Sequence, residues 1–363
     1  VRWEAGSGDA NNASTWTIEN ADDVTDDELF EAAGERFMAL NLLDAPLGNS
    51  FGQRFVSEET KATLQKFKNA KADLGDVQDL LSAYADKTSF TFNMPAAGDF
   101  FRIKSNDGKR YVTANGATDG AAWQLKTTTD STDEGTIFGY DGSHLVSLST
   151  GRAVYLSGGS QAKLADYTVT NFGTVDFGAT PDNKYAVYVK QGAQTATMHL
   201  HQVASKPGVD GWGGKNTGDV LTHLQLEEVE SVPVHLNTAG LATFVPADDM
   251  VVPDGVEIYV ASQYDTAHQR INLTQVQGKV IPADTPVLLY GPVSTTIQLT
   301  YAGENDTAPT VSVNAFQGSF VPSAVPAGQV GRVLKEGEFV KVVPDFVRGM
   351  RAFVSAAPSA GTR

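Results

Sequence analysis

Three successive blocks of short strands and tight turns occupy the middle of this chain, and they constrain its fold more than any other feature. The first block, Phe101–Thr113, alternates apolar and polar residues on both sides of the turn Asn106-Asp-Gly108. Asn or Asp followed by Gly supplies the positive backbone angles that a tight hairpin turn needs. Two related blocks end at Leu156 and Leu226. Three blocks of about 40 residues each predict a β-trefoil-like domain over residues 94–229.

A second repeated feature is a phrase that begins at Trp3 and returns at Trp212. Each copy runs from a Trp through a Gly- and Asn-rich turn to an apolar/polar alternation that ends at Glu19 or Glu227. The second copy closes the predicted trefoil-like domain. We therefore expect residues 1–24 to be the tail strands of a preceding β module, and the chain to be a piece of a longer modular protein.

Residues 25–93, between these β segments, carry a helical pattern. Thr25 and Glu28 have the spacing of a capping box, in which each side chain accepts the backbone N–H of the other residue. Apolar residues recur every three or four positions after it, and again from Ser57 to Tyr84. The pattern predicts a hairpin of two helices that serves as a spacer between β modules.

After Glu228 the composition shifts toward Val, Pro and Ala, and strand-like segments recur roughly every ten residues. This spacing predicts a C-terminal β-sandwich over residues 230–363. The predicted strands are Val232–Leu236, Leu241–Val245, Val256–Val260, Ile271–Val276, Pro286–Tyr290, Thr296–Tyr301, Val311–Val313, Arg332–Leu334, Phe339–Val343 and Arg351–Val354. The predicted fold class is mainly β, with a helical hairpin spacer, a β-trefoil-like domain and a C-terminal β-sandwich.

The charge of the chain argues against several classes of partner. Its 43 acidic and 27 basic residues give a net charge of −16, which disfavours nucleic acid because phosphate binding needs clustered Lys and Arg. Docking on anionic lipid is disfavoured for the same reason. No apolar run is long enough to span a bilayer, so no membrane insertion is expected in this segment. The absence of cysteine removes disulfides and thiolate chemistry and fits bacterial export.

Four phrases in the predicted trefoil-like domain form a recognisable series: Asn93–Lys104, Gly108–Gly116, Thr136–Gly142 and Leu145–Gly151. They resemble the trefoil-like modules in surface and secreted proteins of gut Bacteroidetes. The C-terminal part is similar to the modules that end such proteins, through Ala242–Phe244, Pro253–Tyr259 and Val280–Val287. The resemblance implies an exported multidomain protein, secreted or held at the bacterial cell surface, often with a catalytic domain elsewhere in the polypeptide.

Sugar binding by a trefoil usually needs an aromatic face for stacking, because sugars present C–H faces, and Asp or Asn side chains for their hydroxyl groups. Lectin-type trefoils mark each repeat with Gln-x-Trp, whereas this chain has only Trp123 near a comparable place. The candidate ligand-binding residues are Asp119, Trp123, Tyr140, Asp141, His144 and Tyr155. The alternative is that these aromatic residues cap the core and the Asp residues stabilise turns.

Metal binding and catalysis find weaker support in the sequence. His199 and His201 would lie on one face of a strand, with His223 as a distant third, but no carboxylate is spaced locally to complete a metal site. We therefore predict no metal and no cofactor. The pattern His-Glu-x-x-His and the Walker loop do not occur in the sequence, and we expect a noncatalytic region.

The expected function is ligand binding outside the cell, with extracellular glycan as the favoured partner. One alternative is a module that captures a host protein, such as a secreted trypsin-like protease. The net charge of −16 would attract such a partner if it is basic. The other alternative is a structural spacer for an upstream hydrolase.

Overall fold

The computed structural model describes residues 2–3, 16–17, 25–39, 42–44, 47–48, 50–85, 91–117, 124–157, 161–164, 172–180, 182–201, 208–342 and 346–358. The chain forms two compact units, one of Val1–Asn93 with Pro181–Asn183 and one of Met94–Thr180 with Lys184–Arg363. In the described residues, no helix combines the length and the apolar character that a bilayer crossing requires.

The first unit combines helices with two short antiparallel strand pairs, β1–β2 and β3–β4. Its elements are β1 (Arg2–Trp3), β2 (Trp16–Thr17), α1 (Asp26–Ala39), β3 (Arg54–Phe55), α2 (Glu58–Lys68), α3 (Leu74–Ala85) and β4 (Thr91–Phe92). Of the predicted tail segment 1–24 the structure describes only β1 and β2. Its assignment to a preceding module stays a prediction.

Both predicted helix starts are confirmed. The Glu28 backbone N–H donates to Thr25 Oγ1 at 3.3 Å, and the Thr25 N–H donates to the Glu28 carboxylate at 3.0 Å. At the second start, Ser57 Oγ accepts the backbone N–H of Thr60 at 3.1 Å. These bonds satisfy N–H groups that have no partner within the helix.

The predicted two-helix hairpin is wrong, because the second helical segment is broken into α2 and α3. Helix α2 ends at Lys68 with Asn69 as its C-cap, and Ala70 takes a positive φ of 51°. Helix α3 then begins with its own reciprocal cap, in which the N–H groups of Asp73 and Asp76 each donate to the carboxylate of the other residue, at 2.9 and 3.0 Å. Capping chemistry therefore ends a helix that the apolar spacing alone would continue.

Twelve strands lie in the described part of residues 94–229, and they belong to the second unit. They are β5 (Phe100–Lys104), β6 (Tyr111–Thr113), β7 (Lys126–Thr128), β8 (Ile137–Tyr140), β9 (Leu145–Ser147), β10 (Val154–Ser157), β11 (Gln161–Leu164), β12 (Thr174–Ala179), β13 (Tyr185–Gln191), β14 (Gln194–Leu200), β15 (Val209–Gly213) and β16 (Gln225–Glu228).

The pairing of these strands is trefoil-like. Three strand pairs, β6–β7, β10–β11 and β14–β15, project from a ring of six strands, which gives three lobes. In the ring, β5 pairs with β16 and β8, β8 with β9, and β12 with β13. A Val175–Ser143 hydrogen bond and a Tyr185–Leu224 bridge supply the two remaining links. Because these two links are single contacts, the ring is not one closed sheet.

Residues 231–301 form the predicted β-sandwich. Its strands are β17 (Ser231–His235), β18 (Leu241–Phe244), β19 (Met250–Val251), β20 (Glu257–Asp265), β21 (Arg270–Val276), β22 (Val280–Ile281), β23 (Val287–Tyr290) and β24 (Thr296–Tyr301). They build two antiparallel sheets, in the orders β17-β24-β19-β22 and β18-β23-β20-β21. Alternate residues of both sheets, such as Val234, Phe244 and Leu289, meet in one buried core.

A third layer of short strands covers the outer face of the second sheet. It contains β25 (Ser323–Ala324), β26 (Val330–Lys335), β27 (Glu338–Lys341), β28 (Phe346–Val347) and β29 (Phe353–Ala356), with β26 between β27 and β29. A second apolar cluster, which includes Leu288, Phe316 and Val354, fills the space between the layers. The mainly β fold class is confirmed, but strands that the prediction placed in the sandwich, over residues 332–334, 339–343 and 351–354, belong to this separate third layer.

The predicted strand Val311–Val313 is wrong, because these residues form no strand. The neighbouring Asn314 explains the difference. Its side-chain amide donates to the Pro286 carbonyl at 2.8 Å, and its side-chain oxygen accepts the Ala261 N–H at 3.3 Å. The Asn314 side chain therefore bonds to backbone groups of neighbouring segments, which the backbone of a strand at residues 311–313 would otherwise do.

The trefoil-like region and the sandwich share a continuous apolar core. Phe100 of β5 is fully buried and packs edge-on against Phe320, with 5.9 Å between ring centroids. The Phe100 backbone N–H also donates to the Tyr301 hydroxyl at 2.9 Å. Gly139 lies close to both rings, since a Cβ there would come within 2.7 Å of Phe100 and 2.6 Å of Phe320. The predicted boundary between residues 229 and 230 stays a prediction.

We expect Gly139→Ala to destabilise the second unit, because the added methyl group has to displace two packed aromatic rings. Overpacking of this kind costs about 1–3 kcal/mol. Thermal unfolding measured by circular dichroism checks this expectation. Gly213→Ala is the matched control, since its added Cβ would meet nothing within 4 Å. Equal melting temperatures for Gly139→Ala and the unmodified protein would contradict the packing described above.

Candidate functional site

The third lobe of the trefoil-like region carries the most developed candidate site, and the β14–β15 pair builds it. His199 lies opposite Asp210 in the antiparallel register, and Thr197 lies opposite Trp212. Alternate residues of a strand point to the same face of a sheet. His199 and His201 therefore share one face with Asp210 and Trp212.

A buried imidazole supports the indole ring of Trp212. The side chain of His199 is only 3% exposed, and its ring stacks on that of Trp212 with 5.0 Å between centroids and 25° between planes. On its other side, His199 Nε2 lies 3.1 Å from Asp219 Oδ2. Because the imidazole is held by the carboxylate, it sets the orientation of the indole ring before any ligand binds.

Asp219 joins this hairpin to the turn that follows it. Asp219 Oδ1 accepts the Leu221 N–H at 2.9 Å, and the Asp219 carbonyl accepts the Thr222 hydroxyl at 2.6 Å, which closes the 3-10 turn Val220–Thr222. The Leu221 N–H, opposed by partial burial and assisted by the His199 ring, lowers the pKa of Asp219 from its ordinary value. The carboxylate therefore stays charged in mildly acidic solution.

The site is open to solvent on the side away from His199. Trp212 is 43% exposed although His199 covers one face of its ring, so solvent reaches the other face. The side chains of Asp210 and Asp219 are 29% and 34% exposed. His201 Nε2 lies 3.6 Å from Asp210 Oδ2 on the same face of the hairpin. One face of the indole is thus exposed, and two partly exposed carboxylates contact the histidines of the same hairpin.

The loop after Trp212 is fixed by local hydrogen bonds. Thr197 Oγ1 donates to the Gly214 carbonyl and accepts the Asn216 N–H, both at 2.9 Å. Lys215 Nζ lies 2.8 Å from a carboxylate oxygen of Asp176, and it sits 4.6 Å above the ring of Tyr188. These contacts give the rim of the site a defined shape.

This arrangement suits the reversible binding of a ring that carries hydroxyl groups. The free indole face offers stacking to C–H groups, and ionised carboxylates are hydrogen-bond acceptors with several acceptor positions each. Asp219 uses part of that capacity for His199 and Leu221. The capacity that remains can accept hydroxyl donors from a ligand.

The first lobe has the same turn without the aromatic platform. Asp133 caps a 3-10 turn as Asp219 does. Its carboxylate accepts the hydroxyl of Thr113 at 2.8 Å, where the third lobe uses an imidazole. In the register of the two hairpins, Thr128 occupies the position of Trp212. The stacking ring is thus a feature of the third lobe that the described first lobe lacks at this position.

Comparison with known proteins gives no family assignment. No family model matches the chain, and no curated protein matches it.

The chain is similar to the solved structure of the designed threefold-symmetric protein ThreeFoil, with 11% identity and a TM-score of 0.29 over 36% of this chain and 99% of that one. It is similar to the BEL β-trefoil in an apo crystal form, with 14% identity and a TM-score of 0.30 over 38% and 97% of the two chains. A ricin B-like lectin of Macrolepiota procera, solved with lactose, gives 14% identity and a TM-score of 0.30 over 38% and 99%.

The structure places three of the predicted site residues beside one turn. Tyr140 is buried and donates its hydroxyl to the Val175 carbonyl at 3.1 Å, and burial raises its pKa. Asp141 Oδ1 accepts the backbone N–H groups of Ser143 and His144 at 2.8 and 2.6 Å. Asp141 Oδ2 lies 3.0 Å from His144 Nδ1. These bonds match the alternative in which Tyr140 belongs to the core and Asp141 stabilises a turn.

The remaining predicted site residues are Tyr155, Asp119 and Trp123. Tyr155 lies on β10, opposite Lys163 of β11. Asp119 and Trp123 lie outside the described residues. A ligand-binding role for the six predicted residues stays a prediction.

The predicted histidine pair is buried rather than available to solvent. The rings of His199 and His201 lie 4.5 Å apart in an edge-on arrangement. The two carboxylates beside them come from β15 and from the loop before β16, so local sequence spacing did not reveal them. Across the described ranges, no three His, Asp or Glu side chains gather in a way that could hold a metal ion.

A serine flanked by two glycines lies in the first unit, at Ser50. Gly48-Asn-Ser50-Phe-Gly52 matches the spacing Gly-x-Ser-x-Gly of hydrolase nucleophiles. That motif acts in a sharp turn between a strand and a helix. Here the Ser50 N–H donates to the Gln53 side-chain oxygen at 3.2 Å in a turn that leads into the short strand β3. Ser50 therefore does not lie in the turn between a strand and a helix that this motif requires.

The sequence around Trp212 indicates an exposed ring, although Trp212 does not belong to a Gln-x-Trp motif. Gly211 precedes Trp212, and Gly213 and Gly214 follow it. Residues without side chains cannot cover a neighbouring ring, so a Trp among glycines is expected to be exposed. Its partners His199 and Asp219 lie too far away in sequence for spacing to connect them.

We expect Asp219→Asn to destabilise the protein at pH 7 by about 1 kcal/mol, because a charged acceptor for His199 becomes neutral. The folded-state pKa of Asp219 is lowered from 3.8. Its stabilisation is therefore fully present above that value and is lost as the pH falls through the folded pKa. The difference between the variant and the unmodified protein should shrink below pH 3.8.

Urea unfolding at pH 7 and at a pH of about 3 measures this difference. Asp306→Asn is the control, because Asp306 is an exposed carboxylate that accepts the Gly303 N–H at 2.8 Å. A constant difference at both pH values, or an equal loss in the control, would contradict the role given to Asp219.

Proposed function

We propose that this chain is a noncatalytic binding region whose trefoil-like part recognises extracellular glycan at Trp212. The observation that carries the proposal is the exposed indole of Trp212, which His199 supports from below. A large aromatic ring held rigidly at the surface has its stacking geometry set in advance. Such preorganisation reduces the entropy lost on binding.

The carboxylates of Asp210 and Asp219 supply the polar half of recognition. Both are partly exposed, and they contact His199 and His201 in the hairpin that carries the ring. The pKa of Asp219 is lowered, so its acceptor character persists in mildly acidic solution. A neutral sugar needs an aromatic ring for its C–H groups and hydrogen-bond acceptors for its hydroxyl groups. The Trp212 indole and the two carboxylates provide these.

Export belongs to the same proposal. A cysteine-free chain with a net charge of −16 and the phrases that resemble Bacteroidetes surface proteins support a secreted or cell-surface location. The finer context of a modular bacterial protein rests on those phrases alone. The trefoil-like architecture supports ligand binding only through the site it carries.

Glycan-array screening of the full chain, followed by calorimetric titration of the glycan bound most strongly, tests the proposal. Stacking on an exposed aromatic residue contributes about 1–3 kcal/mol in nucleic-acid modules. We therefore expect Trp212→Ala to weaken binding about tenfold or more. Asp219→Asn should weaken it as well, because the variant loses the charged partner that holds His199 against the indole ring.

Tyr290→Ala is the matched control, since Tyr290 is an aromatic residue with 47% exposure on the sandwich. It should leave the affinity unchanged. Glycan binding that survives Trp212→Ala intact would refute the proposed site. An array without a bound glycan, together with salt-sensitive capture of a basic host protein, would replace the proposal with the protein-binding alternative.

A further inference from the structure

A groove of about 340 Å³ lies in the third layer of the C-terminal region, away from the trefoil-like lobes. The end of the β20–β21 hairpin and the sheet β27-β26-β29 form its walls. Its principal lining residues are Tyr264, Thr266, Gln269, Val330, Arg332 and Lys341. Its volume is at the small end of the range of about 300–1,000 Å³ for ligand pockets.

The groove contains two cations that face each other. Arg332 on β26 lies directly opposite Lys341 on β27 in the antiparallel register. Side chains at such positions are neighbours, with Cβ atoms about 5 Å apart, and like charges there are destabilising. The remainder of this strand pair follows the opposite rule, since Lys335 lies opposite Glu338.

These two cations lack a carboxylate partner among the described residues. The Arg332 guanidinium group donates to Gln269 Oε1 at 3.4 Å. The Lys341 side chain makes no hydrogen bond or ion pair with the described residues. The acidic residue of the adjacent turn, Asp265, is already bonded to His268 at 2.7 Å. Unpaired cations are unexpected in a chain with a net charge of −16.

The position of the cations in the sheet is also unusual. Leu334 and Phe339 lie on the same face of β26 and β27 as Arg332 and Lys341, and they pack against the apolar cluster between the layers. By strict alternation, this inward face should be apolar throughout. Arg332 and Lys341 instead lie on the part of that face that lines the groove. An inward charge on the edge strand β27 is also a known way to protect a sheet edge from pairing with another chain. The experiment below separates this role of Lys341 from ligand binding.

We propose that this groove binds a saccharide that carries a carboxylate or sulfate group. The anion lies between Arg332 and Lys341, and the sugar ring lies against Tyr264. A guanidinium group matches the two oxygens of a carboxylate or sulfate, and an ammonium group adds a second charge. Thr266 and Gln269 supply hydroxyl and amide groups for the ring. The negative field of the whole chain repels a polyanion, whereas a single anionic group feels mainly the nearby cations at physiological salt.

Calorimetric titration of the full chain with methyl β-D-glucuronide tests the proposal, with methyl β-D-glucoside as its uncharged counterpart. We expect binding of the glucuronide and much weaker binding of the glucoside. Arg332→Gln and Lys341→Gln should each weaken glucuronide binding about tenfold. Raising NaCl from about 50 to about 500 mM should weaken it further, because salt screens the charges.

Two controls isolate the groove. Lys335→Gln removes a cation from the opposite face of β26, and Trp212→Ala removes the aromatic ring of the trefoil-like site. Both should retain glucuronide affinity, so failure of the proposed Trp212 site and failure of this groove are distinguishable. Melting temperature checks folding, and relief of the like-charge pair should leave that of Arg332→Gln and Lys341→Gln unchanged or higher.

Three results would overturn the proposal. One is equal affinity for glucuronide and glucoside. Another is equal affinity for glucuronide and inorganic sulfate, which would show that the groove recognises an anion without a sugar. The third is that Lys341→Gln changes only aggregation, which would assign Lys341 to protection of the sheet edge.

Discussion

The carboxylate of Asp219 fixes the geometry on which the candidate site depends. It accepts the Leu221 N–H, which sets the turn leading into β16, and it holds His199, whose ring supports Trp212. Asp133 makes the corresponding turn in the first lobe, with a threonine in place of the histidine. The turn is therefore part of the scaffold in both lobes. The third lobe differs because it places a histidine beside the Asp219 carboxylate and a tryptophan against that histidine.

The scaffold beneath this site is continuous with the sandwich. Phe100 and Phe320 pack together, and Gly139 permits their close approach. The two proposed sites on this unit differ in charge. The proposed Trp212 site has the carboxylates of Asp210 and Asp219 for neutral hydroxyl donors, whereas Arg332 and Lys341 suit an anion. The two proposals therefore assign different ligand chemistry to two surfaces of one chain with a net charge of −16.

Local patterns in the sequence predicted much of this fold and little of the candidate site. Turn residues and alternating apolar positions are local signals, and they predicted the trefoil-like strands and most strands of the sandwich. The break at Ala70 was missed because apolar spacing continues through it, although the caps at Asp73 and Asp76 end the helix. The Trp212 site was missed for a different reason. Its residues converge from separate strands and a turn, and the contacts between them arise only when β14, β15 and the Asp219 turn come together.

The most direct test of the account follows the indole N–H signals of the four tryptophans by nuclear magnetic resonance during titration with the array-selected glycan. Trp212→Phe identifies the Trp212 signal by its loss. The account predicts that this signal shifts progressively with glycan concentration while the other indole signals stay in place. A bound glycan that leaves the Trp212 signal unmoved would contradict it.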